Sequence, residues 1–263
     1  MHRICSVYGS SLKWQPPAIR RRVIIWRMST QRTLVTIVIL GILIGLAVYI
    51  YLQFRTSALR TPIVMAYIKD PAAHPELVTR AGTRCGSAPF IFPTTGLPGY
   101  LWGDLFEPGH PHQGVDIFAG TDVNVTAVVA VYPGYLTRLA DWKSSVIERI
   151  PDDPLQPGRQ IWVYYTHMAD PQGNSFISSD FPPGTSEKYI EAGTLLGHQG
   201  NYSGDPGNPV GVHLHISVVQ DDGTGHFKNE LDMQNTYDPS PYFGMRLNTK
   251  DNPDQIPVCE SEK

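Results

Sequence analysis

Cysteine is scarce in this 263-residue chain. Only three are present and none stands in a CxxC pair, which argues against a thiolate-built metal site. Acidic residues are missing altogether from residues 1–60, where nine Lys and Arg stand. The rest of the chain holds 12 basic and 24 acidic residues, a net charge of −12. A domain this acidic is a poor candidate for gripping nucleic-acid phosphates. No internal repeat is present, and no amphipathic helix of any length is legible. What remains, with 24 Gly and 23 Pro to punctuate it, is a mainly β domain of short strands and many turns.

Charge is also absent from "TLVTIVILGILIGLAVYIYLQF", residues 33–54. As a helix this run spans about 33 Å, enough for a hydrocarbon core. A buried core helix of that length would carry a polar stripe, and this one carries none. Arg3, Lys13, Arg20, Arg21, Arg22, Arg27 and Arg32 precede it, whereas only Arg55, Arg60 and Lys69 follow closely. The positive-inside bias reads 1–32 as a cytoplasmic basic tail and 33–54 as a single transmembrane helix in the cell membrane. Residues 55–84 then form a juxtamembrane linker, with Pro62, Pro71 and Pro75 and weak periodicity, and 85–263 an extracytoplasmic domain. A cleaved signal peptide is the rival reading, but the run exceeds a usual h-region and no A-x-A site ends it. Met28 opens "MSTQRTLVT", a tidier n-region, so 1–27 read as a matter of start-site choice. Cys5 falls on the reducing side. Cys85 and Cys259 fall outside, one at each end of the domain, and read as a disulfide.

Within the domain, "VNVTAVVAVYPGYLTRL" places two apolar runs around Pro133-Gly134, which reads as a hairpin. "QIWVYYTHM" is a strand rich in aromatic and β-branched residues. "AGTLLGHQGN" is a short strand bounded by Gly193 and Gly197, and 168–188 and 200–211 read as long loops. "GVHLHISVV", residues 211–219, alternates strictly, with His213, His215 and Ser217 on one face. A solvated polar face would explain an isolated HxH. Upstream, however, "HPHQGVDIFAG" sets His112 four residues before Asp116 with Gly114 between them. In a straight strand their Cα atoms would lie about 13 Å apart, but a bend at Gly114 entered from Pro111 brings them together. Histidine nitrogen and aspartate oxygen both suit zinc, and a catalytic zinc needs a third protein ligand. The HxH strand offers one. The HExxH pattern, two zinc-binding histidines on one helix, is absent.

"HQGVD", then "YYTHM", then "GVHLHIS", in that order with matching flanks over roughly residues 86–220, resembles the M23 zinc metallopeptidases of the lysostaphin/LytM cell-wall type. The resemblance implies an antiparallel β-sheet groove fold (the duplicated hybrid motif). It implies Zn2+ held by His112, Asp116 and His215, with His213 as the catalytic histidine beside the metal. His167 matches the family's second non-ligand histidine, which orients the attacking water or stabilises the oxyanion. The implied substrate is the peptide part of peptidoglycan, cross-links or stems. The chemistry asks for the same division, since a metal polarises the scissile carbonyl while a neighbouring imidazole moves the proton.

Other assignments stay open beside these. His110 is a weaker candidate ligand, because Gly114 and Asp116 select His112. His198 reads as a turn or rim residue, and His2, His74 and His226 as solvated. Tyr165 and Tyr202 either line a peptide groove or pack. The competing function is a non-catalytic LytM-type module that binds and activates another cell-wall hydrolase. Such modules have typically lost metal ligands, and here all five positions are filled. A purely structural envelope protein has no positive support.

Overall fold

The computed structural model describes residues 30–107 and 109–259. The basic tail before Thr30, with Cys5, His2 and the alternative start at Met28, lies outside the described residues. The chain clusters into two units, residues 1–46 and 47–263. In the first, the described residues are helical from Thr30 and exposed from Arg32 onward. The stretch Arg32–Leu52 is long and apolar enough to cross a membrane.

The second unit is mainly antiparallel β, as the alternating patterns require. Its strands are β1 (Leu97–Tyr100), β2 (Leu105–Glu107), β3 (His110–Pro111), β4 (Val115–Phe118), β5 (Ala127–Val129) and β6 (Gly134–Thr137). They continue with β7 (Val146–Ile150), β8 (Ile161–Thr166), β9 (Lys188–Ile190), β10 (Leu195–His198), β11 (Leu214–Gln220) and β12 (Thr236–Tyr237). Among the described residues, one sheet runs β1-β4-β11-β8-β7-β6-β9, with β12 also on β11, while β5 pairs β10 and β2 pairs β3. The hairpin expected at Pro133-Gly134 does not form. β5 pairs with β10, and β6 turns into the main sheet against β7 and β9. Between the strands, Ala130 and Val131 bond to Gly193 and Ile91 rather than to each other's neighbours. Pro133-Gly134 does break the run, but non-local pairing decides which strands meet.

The principal core lies under the main sheet and joins Phe90, Phe92, Val115, Ile117, Val163, Tyr165, Ile216 and Phe243. A smaller cluster on Ile147, Trp162, Tyr164 and Val219 covers the opposite pleat. This is why β11 is buried along nearly its whole length. Cys85 and Cys259 are bridged, with Cα atoms 5.4 Å apart and a sequence separation of 174. Closing a loop of that length stabilises the fold by about 5 kcal/mol on the chain-entropy account.

Residues 55–69, read as connector, continue the helix α1 (Thr30–Lys69). Ser57, Arg60, Val64 and Tyr67 are buried at helical spacing on one face. In the sequence alone this stripe looks broken, because one of its central members, Arg60, is a charge. Arg60 is fully buried and ion-paired with Asp104. Its Nε donates to the Gly99 carbonyl at 3.2 Å and its Nη1 to the Asn252 carbonyl at 3.1 Å. Gly99 is required at this contact, since a Cβ there would come within 2.7 Å of Val64.

Beneath β7 and β8 sits a buried carboxyl. Glu148 is fully buried, and its Oε2 accepts from the Tyr165 hydroxyl at 2.6 Å. That hydroxyl in turn accepts from the Val131 amide at 3.0 Å. Burial pushes Glu148 up to about 8 against the opposing hydrogen bonds. The folded chain therefore keeps a proton that the unfolded chain releases near pH 4.5. Stability falls as pH rises between those values, at up to about 1.4 kcal/mol per unit. Glu148→Gln keeps an acceptor for Tyr165 without the titration. Its Tm relative to the unaltered chain should climb steadily from pH 5 to pH 8 in thermal unfolding. Parallel curves across that range would contradict the assignment.

Candidate active site

Three neighbouring strands place the chemistry. His215 on β11 is paired across the sheet with Asp116 on β4 and with Thr166 on β8. His167 follows β8 directly, in the left-handed region at φ 72°. His213 precedes β11 and bridges to Gly200. His112 is brought back toward Asp116 by a bend at Gly114. That glycine is sterically required, because a Cβ would lie 2.3 Å from the Ile216 carbonyl oxygen and 2.7 Å from His215 Nε2.

His112, Asp116 and His215 converge. Asp116 Oδ1 lies 3.1 Å from His112 Nε2 and 2.9 Å from His215 Nδ1, and those two nitrogens are 3.0 Å apart. All three residues are buried. His112 Nδ1 faces the Leu101 carbonyl at 3.1 Å. A carbonyl only accepts, so the proton sits on Nδ1 and Nε2 turns a lone pair inward. A carboxylate and two imidazoles cannot satisfy one another fully in this triangle, and His215 Nε2, also buried, has no hydrogen-bond partner among the described residues. A tetrahedral metal with bonds of about 2.0–2.1 Å sets its ligands roughly 3.3 Å apart. The donor set and its spacing therefore fit a zinc ion held by three protein atoms.

His213 and His167 flank this triangle. His213 Nδ1 donates to the Gly211 carbonyl at 2.6 Å, and its Nε2 lies 3.5 Å from Asp116 Oδ1. His167 Nδ1 donates to the Tyr202 carbonyl at 2.6 Å, and the two rings are 4.5 Å apart. Both imidazoles are thus locked with Nδ1 protonated and Nε2 available. Burial, with the neighbouring His213 and His215, lowers His167 to about 3, so it stays neutral. Burial likewise lowers His215. At His112 burial pulls down, but the Asp116 charge and hydrogen bond outweigh it and raise the group. Burial pushes Asp116 up, yet its electrostatic and hydrogen-bond interactions with the neighbouring His112 and His213 side chains hold it well below the usual carboxylate range.

All five residues singled out from the motifs meet here. His110 is exposed on β3, His198 lies on β10, and His74 and His226 stand apart beside Glu76 and Asp222. Tyr165 faces the core, whereas Tyr202 lines a cleft of about 290 Å³ over the site. Gln113, Ser145, Tyr164, Thr166 and Glu230 also line it. The strand alternation held a signal for Tyr164 and Thr166, since both lie on the β8 face opposite Tyr165. Phe118 stacks on His213, with centroids 5.1 Å apart, and nothing local in the sequence marks that contact.

No family model and no curated protein matches the chain. Among solved structures it is similar to the antimicrobial peptidase lysostaphin from Staphylococcus simulans, at 16% identity and TM-score 0.35. That match covers 63% of this chain and 55% of that one. It is also similar to a mutant of the catalytic domain of the prophage-encoded M23 protein EnpA from Enterococcus faecalis, at 19% identity and TM-score 0.33. Here 57% of this chain and 95% of that one are covered. A solution structure of lysostaphin matches at 20% identity and TM-score 0.36, over 56% of this chain and 49% of that one. The chain spans about half the length of lysostaphin.

With a zinc ion in the His112–Asp116–His215 triangle, the five side chains are expected to fall into two groups by metal content. His112→Ala, Asp116→Ala and His215→Ala should each lose zinc on dialysis, and Gly114→Ala should do so by displacing His215. His213→Ala and His167→Ala should keep near-stoichiometric zinc. Metal analysis of the dialysed variants decides it, and zinc loss from His213→Ala with retention in His215→Ala would reverse the roles.

Proposed function

We propose that this chain is a zinc-dependent endopeptidase that hydrolyses peptide bonds in the stems or cross-links of peptidoglycan. The observation that supports this most directly is the triangle of His112 Nε2, Asp116 Oδ1 and His215 Nδ1, with edges of 2.9–3.1 Å. Two further imidazoles beside it each present Nε2. His112, Asp116 and His215 would hold the zinc ion, which would supply polarisation of the scissile carbonyl and activation of water near neutral pH. His213 Nε2 is the group that takes a proton from the attacking water and returns it to the leaving amine. His167, neutral and tied through Nδ1 to the Tyr202 carbonyl, turns the lone pair of Nε2 toward that water and orients it by accepting its hydrogen bond. The cleft lined by Tyr164, Thr166, Ser145 and Tyr202 receives the peptide, with hydroxyls for its backbone groups.

Purified chain in detergent, incubated with isolated sacculi, should release muropeptides with new amino termini. Chelation should stop the release and added zinc restore it. His213→Ala and His167→Ala, although zinc-loaded, should turn over about 10²–10⁴-fold more slowly. Mass spectrometry of the released fragments is the measurement. A zinc-loaded but inert chain would favour the module that activates a separate hydrolase.

The reading includes a membrane anchor, the stretch Arg32–Leu52, with the catalytic unit outside the cytoplasm. A reporter active only outside the cytoplasm, fused after residue 84, should give signal retained in the membrane fraction. Its appearance in the soluble fraction would point to a cleaved leader instead.

A further inference from the structure

We propose that Arg60, on the docked part of α1, is a positioning residue for the metal site, acting through Asp104 and Leu101 on His112. The inference rests on the metallopeptidase reading and extends it to a segment the site motifs do not include.

The connection is continuous in hydrogen bonds. Arg60 Nη2 is ion-paired with Asp104 Oδ1, and both side chains are fully buried. Asp104 Oδ2 accepts from the Leu101 amide at 2.7 Å. The Leu101 carbonyl accepts from the Asp104 amide at 3.0 Å and from His112 Nδ1 at 3.1 Å. The Asp104 carbonyl accepts from the His112 amide at 2.7 Å, and the Gly103 amide donates to the His112 carbonyl at 2.8 Å. Asp104 therefore closes the turn Leu101–Asp104 with its carboxylate and holds the His112 backbone with its carbonyl. The turn fixes which nitrogen of His112 is protonated and which way the ring points. A hydrogen-bonded partner of this kind commonly tunes a metal-binding histidine.

The carboxylate would not stay in that turn alone. A buried, unpaired Asp would be strongly disfavoured, and the cation that answers it comes from α1. Arg60 also grips the carbonyls of Gly99 and Asn252, so its fork is held from three sides. Four residues on, Val64 joins Tyr67 and Leu97 around Phe118, the ring that stacks on His213. The helix face thus supports a metal ligand by one route and the proton-handling histidine by another. Tyr67 fastens this second route, with its hydroxyl donating to the Ala119 carbonyl at 3.0 Å.

The test uses the full chain in detergent and reads zinc affinity by chelator competition, the visible spectrum of the Co2+ form, and thermal unfolding. Arg60→Met combined with Asp104→Leu removes both charges together, so that no buried ion is left alone. Zinc binding should weaken by about 10–100-fold, as when a group orienting a metal-binding histidine is lost, and the Co2+ bands should shift. Arg60→Lys keeps the charge without the fork and should show a smaller loss in the same direction; it decides the matter if the double variant does not fold. Arg159→Met breaks a different ion pair, with Asp153, and should lower Tm while leaving zinc affinity unchanged. Unchanged affinity in the Arg60 variants that fold, or an equal loss in Arg159→Met, would overturn the inference alone. A wild-type chain that takes up no zinc would overturn the metallopeptidase reading and this inference with it.

Discussion

One carboxylate oxygen organises the site. Asp116 Oδ1 is within 3.5 Å of nitrogens on His112, His213 and His215. It can be there only because β4 and β11 pair in the register that sets Asp116 opposite His215. A shift of one residue would turn every one of these side chains to the other face. The register is held by what lies on both sides of the same strands. Val115, Ile117, Leu214 and Ile216 enter the principal core from one face. Val219 and its neighbours on β7 and β8 pack on the other.

Such a cluster is not a source of stability. Buried imidazoles that face one another and a charged carboxylate are poorly solvated, and burying polar groups without full pairing is unfavourable. The surrounding structure must hold them against that tendency. It does so with side chains that have no part in the chemistry: the core clusters, the Cys85–Cys259 bridge and the Arg60–Asp104 pair. A buried ion pair gains little over an apolar pair of similar shape, yet losing one partner costs about 3–5 kcal/mol. Its use here is directional. It pins a turn that an apolar contact would leave free to pivot.

Much of the site was legible because its side chains carry the information. His112, Asp116, His167, His213 and His215 stand in motifs whose residue types and order are unusual together, and Gly114 marks the bend that unites the first pair. What orients them was not legible. The carbonyls of Leu101, Tyr202 and Gly211 fix three of the four imidazoles, and a backbone carbonyl has no sequence signature. The helical continuation through residues 55–69 is hidden in the sequence for a related reason. A stripe of Ser57, Arg60, Val64 and Tyr67 looks broken by its charge until the partner at Asp104 is known, and that partner lies 44 residues away. The expected hairpin failed because Pro133-Gly134 announces a change of direction but says nothing of destination. β5 finds its partner at residues 195–198, far along the chain.

The two histidines of β11 and its approach, alike in sequence, are made unlike by which nitrogen each commits. His213 spends Nδ1 on the carbonyl of Gly211, two residues back, so only Nε2 can reach the cleft. His215 has no such carbonyl beside Nδ1; that nitrogen faces Asp116 and His112 instead. Its Nε2 is turned toward Gly114, where a side chain of any size would collide with it. His112 and His167 follow the pattern of His213, each tied through Nδ1 to a carbonyl. Nε2 presentation is therefore the rule around the site and His215 the exception. The exception follows from the alternation of the strand. The residue at 213 still has irregular chain beside it to supply a carbonyl. The residue at 215 lies inside the ladder, where the backbone groups are bonded to β4 and β8. The proposed ligand and the proposed proton carrier are thus the same residue type two positions apart, and the end of the sheet sets them in different hydrogen-bonding surroundings.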